Sequence, residues 1–105
     1  MIDWSRVEDL KADIGAEDFL EVVGMFLEEV DEVIGRLTRG RSPETLEHDL
    51  HFLKSSSLNL GFSDFARLCS EGERDAAVDH PVDLAPILAS YAASRAAFHA
   101  GLAPP

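Results

Sequence analysis

Cysteine is nearly absent from this chain of 105 residues: Cys69 stands alone, so no internal disulfide can staple the fold. Bases are scarce as well, with 9 Lys and Arg against 20 Asp and Glu and a formal net charge of −11. Such a charge repels phosphate backbones and anionic lipid heads, and the short group Arg36, Arg39 and Arg41 does not offset it. Neither nucleic acid nor a membrane is therefore an expected partner. Long apolar runs are missing too, because acids interrupt even the richest stretch, FLEVVGMFLEEV, well short of the ~18 residues a membrane span needs. The opening MIDWSRVEDL has neither the basic start nor the apolar run of a secretory signal, so the expectation is a cytoplasmic, free-standing protein. Strand-like alternation, hairpin-turn signals and repeats of about 20–50 residues are also missing, which excludes a β architecture and a solenoid.

What remains is helical. Apolar residues make up 46% of the chain, enough for one core, and a domain of this size buries roughly two-thirds of the surface its unfolded form exposes. Residues 1–105 are thus expected to form a single domain. Asp3 and Gly15 bracket a short amphipathic helix over 3–14. Over 17–37, Phe19, Val22, Val23, Phe26, Val30, Val33, Ile34 and Leu37 recur every three or four positions, with acids on the other faces. Gly40 then breaks the chain, and Ser42-Pro43 supplies a cap and a first-turn proline for a helix over 43–60 with Leu46, Leu50, Leu53, Ser57 and Leu60 inward. Ser63 is expected to cap a fourth helix over 63–78, on which Phe62, Phe65, Cys69, Gly72 and Ala76 share a face; the small residues there predict a close approach. Asp83 is expected to cap the last helix, 83–101, with Leu84, Ile87, Leu88, Tyr91, Phe98 and Leu102 buried and Ala103-Pro104-Pro105 ending it. The fold class is all-α, and four long helices with short loops predict an antiparallel up-down four-helix bundle with the extra N-terminal helix, and its Trp4, across one end.

On a wheel of the third helix with Leu53 at zero, the apolar residues cluster within about 60° while His51 sits about 160° away. His51 thus faces water, with Lys54, Ser55 and the apolar Leu58 close by. An exposed imidazole is nucleophilic near neutral pH, and a neighbouring ammonium offsets developing negative charge. His48 and His51 lie three apart, but no Cys or further His completes a ligand set, so no metal is expected. Cys69 falls in the apolar phase and reads as a small buried hydrophobe. His80 and His99 have no neighbours that suggest chemistry. Asp49 lies near the core phase with no evident partner, which puts it at the bundle edge.

The stretch His51-Phe-Leu-Lys54-Ser55-Ser56-Ser57-Leu-Asn-Leu60-Gly61 resembles the H-x-L-K-G-S-x-x-x-(L/I)-G signature of histidine phosphotransfer (HPt) domains. The likeness continues in register through Phe62-Ser-Asp-Phe65-Ala-Arg-Leu-Cys69-Ser-Glu-Gly-Glu73. The resemblance implies a helical-bundle phosphorelay intermediate in which His51 accepts a phosphoryl group from the aspartate of one receiver domain and passes it to another. It implies that Lys54 lies near the phosphoryl oxygens and that Glu73 orients the imidazole. It further implies docking of response-regulator or hybrid-kinase receiver domains on a partly apolar surface around Ser55, Leu58 and, at its rim, Phe62. No ATP-lid motif is present, so the chain is expected to be a carrier and not a kinase, a monomer without a cofactor of its own, the Mg²⁺ belonging to the receiver. The alternative is a non-catalytic helical adaptor that docks a receiver or kinase. One residue departs from the signature: Ser55 stands where the family usually has glycine, adding a hydroxymethyl group beside the histidine.

Overall fold

Local signals start and stop most of the helices. The computed structural model describes residues 2–40 and 42–102; Arg41 of the basic group and the Ala103-Pro104-Pro105 stop lie outside them. Five helices follow one another: α1 (Trp4–Ile14), α2 (Phe19–Arg39), α3 (Pro43–Asn59), α4 (Ser63–Ala77) and α5 (Leu84–Leu102). The Asp3 carboxylate caps α1 by accepting from the Arg6 amide at 3.3 Å. The Asp83 carboxylate likewise accepts from the Ala85 amide at 3.1 Å. Two caps behave differently from expectation. Ser42 occupies the cap position of α3, but its hydroxyl donates to the Glu44 carboxylate, so the first turn is held by backbone bonds and by the Thr45 hydroxyl, which donates to the Ser42 carbonyl at 3.4 Å. Ser63 is the first residue of α4 and Phe62 takes the cap position. α2 begins at Phe19 because 16–18 form a turn, and it runs on to Arg39.

Among the described residues no strand occurs, and the one extended backbone pairing is an isolated antiparallel bridge between Ile2 and Phe62. The assembly is all-helical, 43 × 22 × 20 Å. α3 packs most extensively against α4, α4 also against α5, α2 against α3, and α1 against both α2 and α3. No helix among the described residues is long and apolar enough to cross a membrane.

Leu50 and Leu53 of α3 and Leu60 at its C-cap meet Val30, Phe65, Cys69 and Phe98 in a core from which water is excluded. Phe62 belongs to it. Expected at a docking rim, this ring has no exposed surface and lies edge-on to Phe98, with centroids 5.4 Å apart. The reason is the turn before it. Gly61 takes φ +76°, the Phe62 amide donates to the Ser57 carbonyl at 2.9 Å, and the Asp3 amide donates to the Gly61 carbonyl at 2.7 Å, so the chain folds inward. A Cβ on Gly61 would sit 2.5 Å from the Asp3 carbonyl oxygen, so glycine is needed here for both conformation and space. Trp4 stacks on Phe98, centroids 5.9 Å apart and planes within 5°, which seals this end.

Two ion pairs tie α2 to its neighbours. Asp31 accepts from Arg95 of α5 at 2.9 Å and 3.2 Å and from the Tyr91 hydroxyl; the Arg95 bonds above all hold its carboxyl below the usual range. Asp49, 5% exposed, is not stranded at an edge: its carboxylate accepts from Arg36 of α2 at 2.8 Å. Losing that guanidinium would leave a buried carboxylate without its partner. Arg36→Met is therefore expected to destabilise the fold by about 1–3 kcal/mol in urea unfolding, and Arg36→Met combined with Asp49→Leu to recover much of the loss.

Candidate functional site

Helix α3 turns its apolar face to the core and His51 to solvent, where 58% of its side chain is exposed. What crosses to it comes from α4. Gly72 has no side chain, and a Cβ there would lie only 3.2 Å from Leu50 and 3.3 Å from Ile87, so α4 runs close against α3. The next residue, Glu73, is thereby brought within reach. Its Oε2 lies 2.7 Å from His51 Nδ1, and its Oε1 accepts from Lys54 Nζ at 2.8 Å. One carboxylate thus holds both the imidazole and the ammonium, and it is itself largely sheltered, 19% exposed.

The Lys54 hydrogen bond is the main cause that holds the Glu73 carboxyl below the ordinary glutamate range; burial pushes the other way, and the His51 bond adds to the lowering. Glu73 is therefore ionised at neutral pH and can only accept. His51 Nδ1 must then carry the hydrogen, and in the neutral ring Nε2 keeps its lone pair on the side away from Glu73. A nucleophilic ring nitrogen on an exposed helix face, with a fixed tautomer and a carboxylate behind it, can take up an electrophilic group and share the positive charge the ring then acquires.

The other expected residues fall as follows. Ser55 is exposed one turn after His51, and Leu58 follows it, half exposed. Lys54 is close to His51, but its ammonium is bound to Glu73 and not loose in solvent. Phe62 is in the core and contributes nothing to this face. Cys69, buried beneath the site, has its thiol pushed up to about 12, chiefly by burial and further by the Glu73 charge, which makes it inert. Among the described residues no group of three or more His, Cys, Asp and Glu could hold a metal ion.

Sequence reasoning missed two features of the surroundings. Arg6 of α1 donates through Nε to the Leu58 carbonyl at 3.3 Å and through Nη2 to Asn59 Oδ1 at 3.4 Å, so α1 fastens the end of α3 that presents Leu58. Local pattern carries no trace of a contact spanning 52 residues. Met25 of α2, 58% exposed, lines an apolar hollow with Val22, Phe26 and Glu29. Its signal was visible as an apolar residue off the buried phase of α2.

The Glu73 carboxyl binds its proton less readily in the folded chain than in the unfolded one. Its ionic contribution is present at neutral pH, above the unfolded glutamate range, and is lost as pH falls through that range to the lower folded value. Glu73→Gln is expected to be less stable than the wild type at pH 7, and the gap to close below about pH 4 in urea unfolding run across a pH series.

Comparison with known proteins covers the stretch of chain that carries this geometry. A protein-family model described as "Hpt domain" matches residues 21–97, which include His51, Lys54 and Glu73. The chain is 34% identical over 82 residues to "Phosphorelay protein LuxU" of Vibrio harveyi, a match that covers 75% of this chain and 67% of that protein. No solved structure matches. With the family match spanning most of the chain and a relative at this identity, the protein belongs to the Hpt domain family.

Proposed function

We propose that this protein is a phosphoryl carrier in a phosphorelay: His51 takes a phosphoryl group from the aspartate of one receiver domain and passes it to the aspartate of another. The observation that carries this reading is the 2.7 Å bond between Glu73 and His51 Nδ1, which directs the lone pair of Nε2 outward. Membership of the Hpt family and the printed name of the Vibrio harveyi relative support it.

In the forward step the Nε2 lone pair forms a bond to phosphorus as the bond from phosphorus to the aspartyl oxygen breaks, and that aspartate leaves as a carboxylate. The ring, still protonated at Nδ1, becomes cationic, and Glu73 stabilises it. Handing the group on is the reverse, with a second aspartate as acceptor. Lys54 spends one N–H on Glu73; an ammonium has three, so two remain for phosphoryl oxygens. Transfer of this kind rests on positioning and charge neutralisation, and the receiver brings its own Mg²⁺ and acidic pocket. Ser55 and Leu58 form the docking face, the hydroxymethyl group of Ser55 being small enough beside the histidine for a receiver loop to approach.

The same reading makes the protein a carrier and not a kinase, a cytoplasmic monomer and a single domain over 1–105. In it, α2 to α5 run up and down as an antiparallel bundle with α1 across one end; the order of neighbouring helices and their short connections support that arrangement.

Phosphoryl transfer from a phosphorylated receiver domain tests the proposal. Wild-type protein is expected to acquire an acid-labile, base-stable label that His51→Gln does not, and Glu73→Ala to slow transfer roughly 10–100-fold while the fold persists. Absence of label from a panel of phosphorylated receivers that still bind would overturn the carrier reading in favour of a docking adaptor.

A further inference from the structure

The outward face of α3 is a single stripe in which Glu44, His48, His51, Ser55 and Leu58 follow at spacings of four, three, four and three, all of them exposed. His48 is thus the neighbour of His51 on the N-terminal side, one turn away, where Cβ atoms stand about 5–6 Å apart. Helical side chains lean toward the N-terminus of their helix, so the His51 ring lies over the turn that carries His48. The two imidazoles in fact line one surface depression, together with Glu44, Glu47 and Glu73.

The charge in that depression is wrong for a phosphoryl group. Three of its five lining residues are carboxylates, and a phosphoryl on His51 adds roughly two negative charges. Of the nearby cations, Arg36 of α2 is engaged with Asp49, and Lys54, which is not among the residues lining the depression, gives one of its three N–H groups to Glu73. Glu44 faces His48 from one turn back, with its carboxylate accepting from the Ser42 hydroxyl. Besides His51 itself, His48 is the one lining residue that can become a cation.

Resting on the carrier reading, we infer that His48 joins Lys54 in neutralising the phosphoryl group on His51, donating an N–H to its oxygens as the imidazolium from the side of the depression. Loading His51 then draws a proton onto His48, and a proton on His48 favours the loaded form by the same factor. Loading is correspondingly favoured on the acid side of neutrality and release on the alkaline side.

The titration uses phosphoramidate as donor, so that it needs no receiver, and the partition of phosphoryl is measured separately against a receiver domain. The P–N bond of the donor breaks as the Nε2 lone pair makes the new P–N bond, and ammonia leaves. The His48 ring is titrated by NMR in the unloaded and loaded protein between about pH 6 and pH 8.5, alongside His48→Gln and His48→Arg. Loading is expected to raise the proton affinity of His48 about two- to fivefold, the range of a solvent-exposed charge pair. The equilibrium share of phosphoryl held against a receiver is expected to fall by a similar factor in His48→Gln, to lose part of its pH dependence there, and to stay high across the range in His48→Arg. An identical His48 titration in both forms, or a pH profile unchanged in His48→Gln, would overturn the inference while leaving His51 as the carrier. A wild type that takes no phosphoryl on His51 from phosphoramidate or from any receiver would overturn both.

Discussion

With a hydrogen in place of a side chain, Gly72 lets α4 lie so close to Leu50 and Ile87 that a Cβ would press on their methyl groups at 3.2 and 3.3 Å. That contact closes the core between α3, α4 and α5, and it also brings the Glu73 carboxylate to the exposed face of α3. Were the two helices to stand farther apart, Leu50 would lose its neighbours and His51 would lose its hydrogen-bond partner together. Core packing and the electronic state of the imidazole therefore have one cause, and the site is held by the rigid part of the molecule, not by a loop.

Charge is distributed to match. Residues 1–50 carry 14 acids against 5 bases, net −9, whereas 51–105 carry 6 against 4, net −2. Much of the acid lies on the solvent faces of α2, yet two of its polar positions work inward. Asp31 gathers Arg95 and Tyr91, and Arg36 answers the buried Asp49, so α2 is fastened to α5 on one side and to α3 on the other. Burial is the largest cause that raises the Tyr91 phenol, with the Asp31 bond adding to it, so that hydroxyl is a donor at neutral pH.

Helices were legible in the sequence because each announces itself twice, by the period of its apolar residues and by a punctuating residue at an end. Where the two disagreed with the structure, the failure was local: Ser63 looks like a cap but enters the helix, and the turn over 16–18 delays α2. Phe62 was misread because an aromatic directly after a glycine at a helix end is as compatible with a rim as with a core. Only the bond from Asp3, some sixty residues away in sequence, decides the matter. Asp49 failed for a similar reason, its partner being on another helix. At the site, periodicity alone turned His51 and Leu58 outward, whereas the pairing of Glu73 with His51 spans two helices and rested on the family resemblance, and the bond from Lys54 to the same carboxylate had no sequence signal. His48 was visible as an exposed neighbour, but its acidic surroundings include Glu73, which no wheel of α3 contains.

The stack of Trp4 on Phe98 has an optical consequence. Trp4 is the one tryptophan of the chain, and its indole lies parallel to a buried ring while the residue as a whole stays 38% exposed. Its fluorescence therefore reports on a single event, the seating of α1 over the end of α5. Since α1 also holds the Leu58 end of α3 through Arg6, a shift of emission toward the red registers loosening of the face that a receiver would meet, without any label added to the protein.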